Sequence, residues 1–326
     1  MINPTAPISV SFDEYVRSRE SALQAHTEQG IPDYAFGSDY AIRKRLRAIP
    51  VLYRFCKVYA SYIVPRQKKI CELTSIRVSP KQYPEIYQIT EHCAKTLGIG
   101  IPDLYIEPNL MEINARTYAT DEDSPLIVLH SALVERLTPE ELCFVIGHEC
   151  GHIHNLHGIY DIAAQILINS GTIAGVKGGL PVNLLPLLNL STSMALNMWS
   201  RAAEVTCDRA GLICCGNFEV AQSTFAKFLS GGLLNNDAQA SLEELTRQYE
   251  GIRRSPIKLL ELDFNHPTSI RRILAAREFM NSAVYYDWHP EQKTAGRALL
   301  NHEELDALCN EYISVTKGKG GKKSDG

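Results

Sequence analysis

The stretch from 138 to 155, TPEELCFVIGHECGHIHN, narrows what this chain can fold into more than any other part of it. Thr138-Pro139-Glu140-Glu141 is a capping box with proline at the first helical position, so a helix starts there. Leu142, Val145, Ile146 and Ile153 then recur at helical spacing, which predicts one helix from about Pro139 to Asn155. On it His148 and His152 stand four apart and share a face, flanking the apolar stripe. Two imidazoles converging from one rigid element at the edge of a core suit a tetrahedral, borderline-soft cation such as zinc. Glu149 lies beside them and nearer the centre of the stripe, placed to take a proton from metal-bound water. A plain core helix with two satisfied histidines would leave that carboxylate beside the core without a purpose. Gly151, in mid-helix, costs about 1 kcal/mol relative to alanine, and a second element at close range would explain it.

Catalytic zinc usually takes three protein ligands and one water. A third histidine in the pattern HExxHxxGxxH is excluded, because the chain has Asn155 and Gly158 at the two required positions. His154 and His157 are out of register, and are expected on the exposed side or behind the ligands. The other option is a carboxylate from a later helix. Glu204 and Asp208 lie one turn apart on a helical pattern flanked by Ala203, Cys207 and Ala210. Glu204 can complete a two-histidine, one-glutamate set, and Asp208 can accept the free N–H of a ligand histidine and fix its tautomer. Alone, ExxxD is a weak signal whose default is a solvent-facing acidic pair; an upstream HExxH makes it persuasive.

The rest of the chain sets bounds. Its 326 residues allow one large domain, with or without a smaller appendage. Hydrophobic residues make up 45% and charged residues 21%, with net charge -4, so no basic field points to nucleic acid. The nine cysteines are odd in number and form no CxxC pair, which argues for reduced thiols in a cytosol-like compartment. The N-terminus lacks the charged start and apolar core of a secretory signal. No charge falls between Lys177 and Arg201, but Pro181, Pro186 and three asparagines interrupt the run. A buried or membrane-touching helical insert is expected there rather than a spanning helix. The basic run from Ala41 to Arg47, AIRKRLR, reads first as a solvated helix face and second as a contact for an anionic surface.

Residues 1–72 are expected to form a helical N-terminal extension. Residues 73–280 hold the metal site and carry an insert at about 159–200. Residues 281–326 contribute a last helix, His302 to Ile313, and a Gly- and Lys-rich tail expected to be disordered. Within the middle segment, Ser75–Val78, Leu104–Ile106, Glu112–Tyr118 and Leu126–Leu129 read as strands, and Pro80–Leu97 as a helix.

Taken together, these residues resemble the HtpX-like and CAAX-prenyl-protease-type zinc metallopeptidases, a glutamate-zincin family. The likeness spans about residues 75 to 275. Asn114-Ala115 on a strand is similar to the family's NA motif, and Glu140-Glu141-Leu142 leading into Gly147–Ile153 to its catalytic helix. Glu204 through Leu212 is similar to its third-ligand helix, and His266 through Ile273 to its HP-x4-RI motif. The resemblance implies an α+β, mostly helical fold: a zincin-like catalytic domain with a small sheet beside the HExxH helix. It implies one zinc ion per chain on His148, His152 and Glu204, with Glu149 as general base. It makes the strand of Asn114 and Ala115 the edge that pairs with an extended polypeptide substrate. His266 would stabilise the oxyanion, and Arg272 would orient nearby carboxylates. Membrane members of the family carry clear spanning helices and this chain does not, so the insert is expected to act as a lid or to touch a membrane. Cys150 is expected to point away from zinc.

The resulting expectation is a zinc-dependent endopeptidase acting on polypeptides, cytoplasmic and open to peripheral membrane contact. The alternative is a zinc-containing, chaperone-like or autoinhibited peptide-binding protein with little turnover; a weaker one is a hydrolase of non-peptide amides. No motif specifies an oligomeric state.

Overall fold

The computed structural model describes residues 26–28, 31–120, 124–161, 190–232, 242–253, 268–294 and 296–314. A minimal antiparallel pair, β1 (Thr27–Glu28) and β2 (Ile31–Pro32), leads into α1 (Gly37–Arg47) and α2 (Pro50–Thr74). Then come β3 (Ile76–Arg77), α3 (Pro84–Leu97), β4 (Asp103–Glu107), β5 (Ala115–Tyr118) and β6 (Leu126–His130). The four strands β3–β6 form one sheet in the order β3-β4-β6-β5. β4 and β6 run parallel and the other two pairings are antiparallel. β6, sequence LIVLH, is buried at every position, which is why it reads as a continuous apolar run rather than an alternation. β5 is an edge strand.

Helices follow: α4 (Ser131–Arg136), α5 (Pro139–His154), α6 (Leu190–Cys215) and α7 (Phe218–Leu229). After them come α8 (Leu242–Arg253), α9 (Ser269–Phe279), α10 (Ala283–Trp288) and α11 (His302–Ile313). α5 opens on the expected capping box, in which Thr138 and Glu141 satisfy each other's backbone N–H. Its last residue is His154, one residue inside the predicted limit, with Asn155 as the C-cap. The predicted strands and the last helix also form, each within a few residues of its expected ends.

α5 and α6 lie in direct contact. A Cβ built on Gly151 would stand 2.7 Å from the Ala210 Cβ, and one on Gly147 2.7 Å from the Cys214 Cβ. The glycines therefore let the two helices approach, which offsets their intrinsic cost of about 1 kcal/mol each. The main core gathers around this contact, with Phe144, Ile146, Phe225, Ile273 and Phe279 fully or almost fully buried. A second cluster sets Leu52, Cys56, Ala60 and Val64 of α2 against Leu196, Trp199 and Ala203 of α6. Arg209 of α6 reaches both ends of the chain: it donates to the Tyr34 carbonyl at 3.0 Å and to Asp306 at 2.9 Å.

Among the described residues, no helix is long and apolar enough to cross a membrane. Residues 1–25, most of the insert (162–189), His266 and the tail from 315 lie outside the described residues.

Candidate metal centre

The contact between α5 and α6 decides where the polar groups of each helix go. His148 and His152 stand one turn apart on α5, their rings T-shaped with centroids 5.1 Å apart. The Glu204 carboxylate of α6 spans both: Oε2 lies 3.6 Å from His148 Nε2, and Oε1 lies 3.7 Å from His152 Nε2. All three residues are buried. Ligand atoms at 2.0–2.1 Å from a tetrahedral zinc stand about 3.4 Å from one another. Both nitrogen–oxygen separations are close to that spacing, and two imidazoles with a carboxylate suit such an ion in chemistry.

The Cys207 thiol is also within 4.8 Å of the histidine nitrogens. It sits on a different edge, 3.5 Å from His157 Nδ1, and that nitrogen faces His152 Nδ1 rather than Nε2. Burial pushes this thiol well above its usual range. It lies on the His157 side of His152.

Behind His148, Asp208 Oδ1 lies 3.0 Å from Nδ1 and accepts its hydrogen, leaving Nε2 with a free lone pair toward Glu204. Arg272 of α9 grips Asp208 in a two-pronged pair, Nε to Oδ2 at 2.8 Å and Nη2 to Oδ1 at 2.6 Å. Its Nη1 reaches Glu204 Oε2 at 2.9 Å, and its guanidinium lies over the Phe225 ring. Burial works against the Arg272 charge, but Asp208 and Glu204 outweigh it and hold the group protonated.

Behind His152 the arrangement differs. Nδ1 lies 3.2 Å from His157 Nδ1 and 3.2 Å from Asp161 Oδ2. His157 Nε2 is 3.0 Å from Asp39 Oδ2, at the start of α1. Asp39 has no exposed surface and also accepts from Trp199 Nε1 at 2.9 Å and Thr206 Oγ1 at 2.8 Å. Burial alone would raise its carboxyl; His157 and the other donors hold it down at about 2. With Asp39 as an ionised acceptor, His157 carries its proton on Nε2 and its Nδ1 accepts. With a metal bound, His152 would donate from Nδ1 and offer its Nε2 lone pair on the Glu204 side.

Glu149 is buried beside this cluster, and the Thr117 hydroxyl of β5 donates to its Oε2 at 2.5 Å. The edge strand thus runs next to the carboxylate. Asn114 precedes β5; its carbonyl accepts from His130 N–H, and its side chain bonds Ala115 N–H and Glu112. Neither Asn114 nor Ala115 is in contact with the histidine pair in these bonds; they stand at the entry of the edge.

The structure brings together His148, Glu149, His152, Glu204, Asp208 and Arg272, and adds Asp39, Thr117, His157 and Asp161. Of the two expected placements, neither histidine is on the exposed side: His157 lies behind His152, while His154 is buried elsewhere, its Nδ1 bonding the Tyr34 hydroxyl at 2.9 Å. The spacing of His152 and His157 was a readable signal, whereas Asp39 offered none, lying 118 residues before His157. Cys150 is fully buried in the main core.

The profile of peptidase family M48 matches residues 80–280. The chain is 30% identical over 249 residues to the plastoglobule-localized metallopeptidase 48, chloroplastic, of Arabidopsis thaliana, covering 74% of this chain and 70% of that protein. It is 26% identical over 226 residues to a protease HtpX homolog of Moorella thermoacetica, covering 61% of this chain and 73% of the relative. A family profile spanning more than half of the chain, over a range that includes His148, His152 and Glu204, leads to one conclusion: the chain belongs to peptidase family M48 and is a zinc metallopeptidase.

Proposed function

We propose that this enzyme cleaves polypeptide chains with one zinc ion per chain held by His148, His152 and Glu204, and with Glu149 as general base. The observation that carries the reading is the Nε2–carboxylate–Nε2 cluster at 3.6 and 3.7 Å, with His148 held from behind by Asp208 and His152 by His157 and Asp161. When bound, zinc supplies Lewis-acid activation of a water and of the scissile carbonyl. Glu149 accepts the proton of the attacking water and passes it to the leaving amine. The Thr117 hydroxyl holds that carboxylate in place, at 2.5 Å. Asp208 and Arg272 keep His148 and Glu204 oriented, and Asp39 with His157 does the same for His152. An extended substrate adds to β5, entering at Asn114 and Ala115; the strand's edge position supports this, since strand addition recognises backbone rather than side chains. His266 stabilises the oxyanion, a role supported by its HP-x4-RI context. The alternative of holding peptides without cutting them is not favoured in a peptidase family. The enzyme works in the cytoplasm, in keeping with its cysteine pattern, and makes peripheral contact with a membrane.

Digestion of an unfolded polypeptide tests the reading. Cleavage should stop with a chelator and return with zinc. Glu149→Gln should lower turnover by roughly 10²–10⁴-fold while the protein keeps its zinc. Full activity in that variant would refute the assigned base.

A further inference from the structure

The helix α2 has two unlike faces. At 100° per residue, Leu52, Cys56, Ala60 and Val64 share one arc and are buried in the cluster with α6. The opposite arc carries Val51, Val58, Tyr62 and Leu73, which are 55%, 70%, 65% and 87% exposed. On a helix that only covers a soluble core, this arc is charged or polar. Here large apolar side chains occupy it, with exposed Arg54, Arg66 and Lys69 interleaved within the same arc of about 120°. Exposed Lys44, Arg45, Arg47 and Ile49 continue the pattern at the corner between α1 and α2. Between Asp39 and Glu72 the chain has no acidic residue and nine lysines and arginines, although its overall net charge is -4.

We propose that this face docks on an anionic lipid surface. Val51, Val58, Tyr62 and Leu73 enter the headgroup boundary, and the interleaved cations meet lipid phosphates. Two features select this occupant. An amphipathic helix with apolar and cationic groups side by side matches a partner whose apolar layer lies just beneath a layer of negative charge. A second copy of the chain is disfavoured, because a two-fold contact would set the cation-rich face against itself. The inference rests on the reading above that the chain touches a membrane, and it names the surface and the lipid charge. It does not depend on the zinc chemistry.

Cosedimentation of the full chain with vesicles tests it. Wild type should bind phosphatidylcholine vesicles that contain phosphatidylglycerol, release with salt, and ignore pure phosphatidylcholine. Arg54→Gln and Lys69→Gln should each weaken binding roughly fivefold. Val58→Asp and Tyr62→Asp should weaken it further, while cleavage of a soluble peptide stays at wild-type rate and reports an intact fold. Glu149→Gln should bind vesicles like wild type, which separates docking from peptidase activity. Wild type that stays in solution with anionic vesicles overturns the membrane reading as a whole. Wild type that binds equally in all four surface variants overturns this face and leaves membrane contact elsewhere. A dimer in gel filtration that Val58→Asp splits assigns the face to a second copy and overturns the lipid.

Discussion

The two imidazoles of the centre sit one turn apart on one helix, yet they are held from behind in different ways. His148 leans on Asp208, which comes from the same helix as Glu204 and is clamped by Arg272. That support is ionic and short, and every member lies at the centre of the catalytic fold. His152 leans on another histidine, His157, which leans on Asp39 from the N-terminal helix α1. That support is a relay, and its anchor comes from a segment that looks peripheral. Both routes give the same result: a hydrogen fixed on Nδ1 and a lone pair left on Nε2. The difference teaches that α1 does more than cover the core, since its Asp39 bears on His152, a proposed zinc ligand, through one intervening ring.

Substitutions can break or sharpen this comparison. The largest effect belongs to the part both halves share. Glu204→Ala leaves two imidazoles without their carboxylate, so the purified protein should lack stoichiometric zinc in elemental analysis. Next come the two anchors. Asp208→Asn and Asp39→Asn should each weaken zinc binding about 10–100-fold in competition with a chromophoric chelator. Asp39→Asn should also destabilise the metal-free protein by about 1–3 kcal/mol in chemical denaturation, because its carboxamide cannot accept from all of the buried donors of His157, Trp199 and Thr206. Trp199→Phe supplies the control: it removes one donor to Asp39 but leaves His157 in place, so stability should fall with zinc affinity unchanged. If Asp39→Asn binds zinc as tightly as wild type, the relay is structural and the likeness between the two halves ends there. The smallest effect is expected at Asp161, which shares the His152 Nδ1 hydrogen with His157 and is partly exposed. Asp161→Asn should weaken zinc only severalfold on the same chelator assay.

Legibility followed the range of each interaction. The catalytic helix was readable because everything that specifies it is local: a capping box at Thr138–Glu141, apolar spacing, and two histidines at one-turn separation. Gly151 even announced its neighbour, and the structure places the Ala210 Cβ 2.7 Å from where a side chain would begin. Glu204 and Asp208 were readable as one-turn partners, with the upstream motif lending them meaning. The clamp by Arg272 could be named only through resemblance, because its distance to Asp208 depends on how α9 packs against α6 and α7. Thr117 was passed over for a related reason: a threonine on a strand is ordinary until the helix beside it turns out to carry Glu149.

By itself the amino-acid order determined the helix that bears the two imidazoles, the glycines that let a second helix close on it, and the carboxylate that helix offers. These follow from backbone periodicity and side-chain volume, which act over a few residues. The tertiary structure alone decided that Asp39, 118 residues from His157, would end up as its buried acceptor, because that meeting depends on α1 docking against α6. It also decided which arc of α2 faces outward, since an amphipathic helix does not say whether its apolar or its mixed side will find the core. Pairing at a distance is set by the packing of whole elements, and no spacing along the chain encodes it.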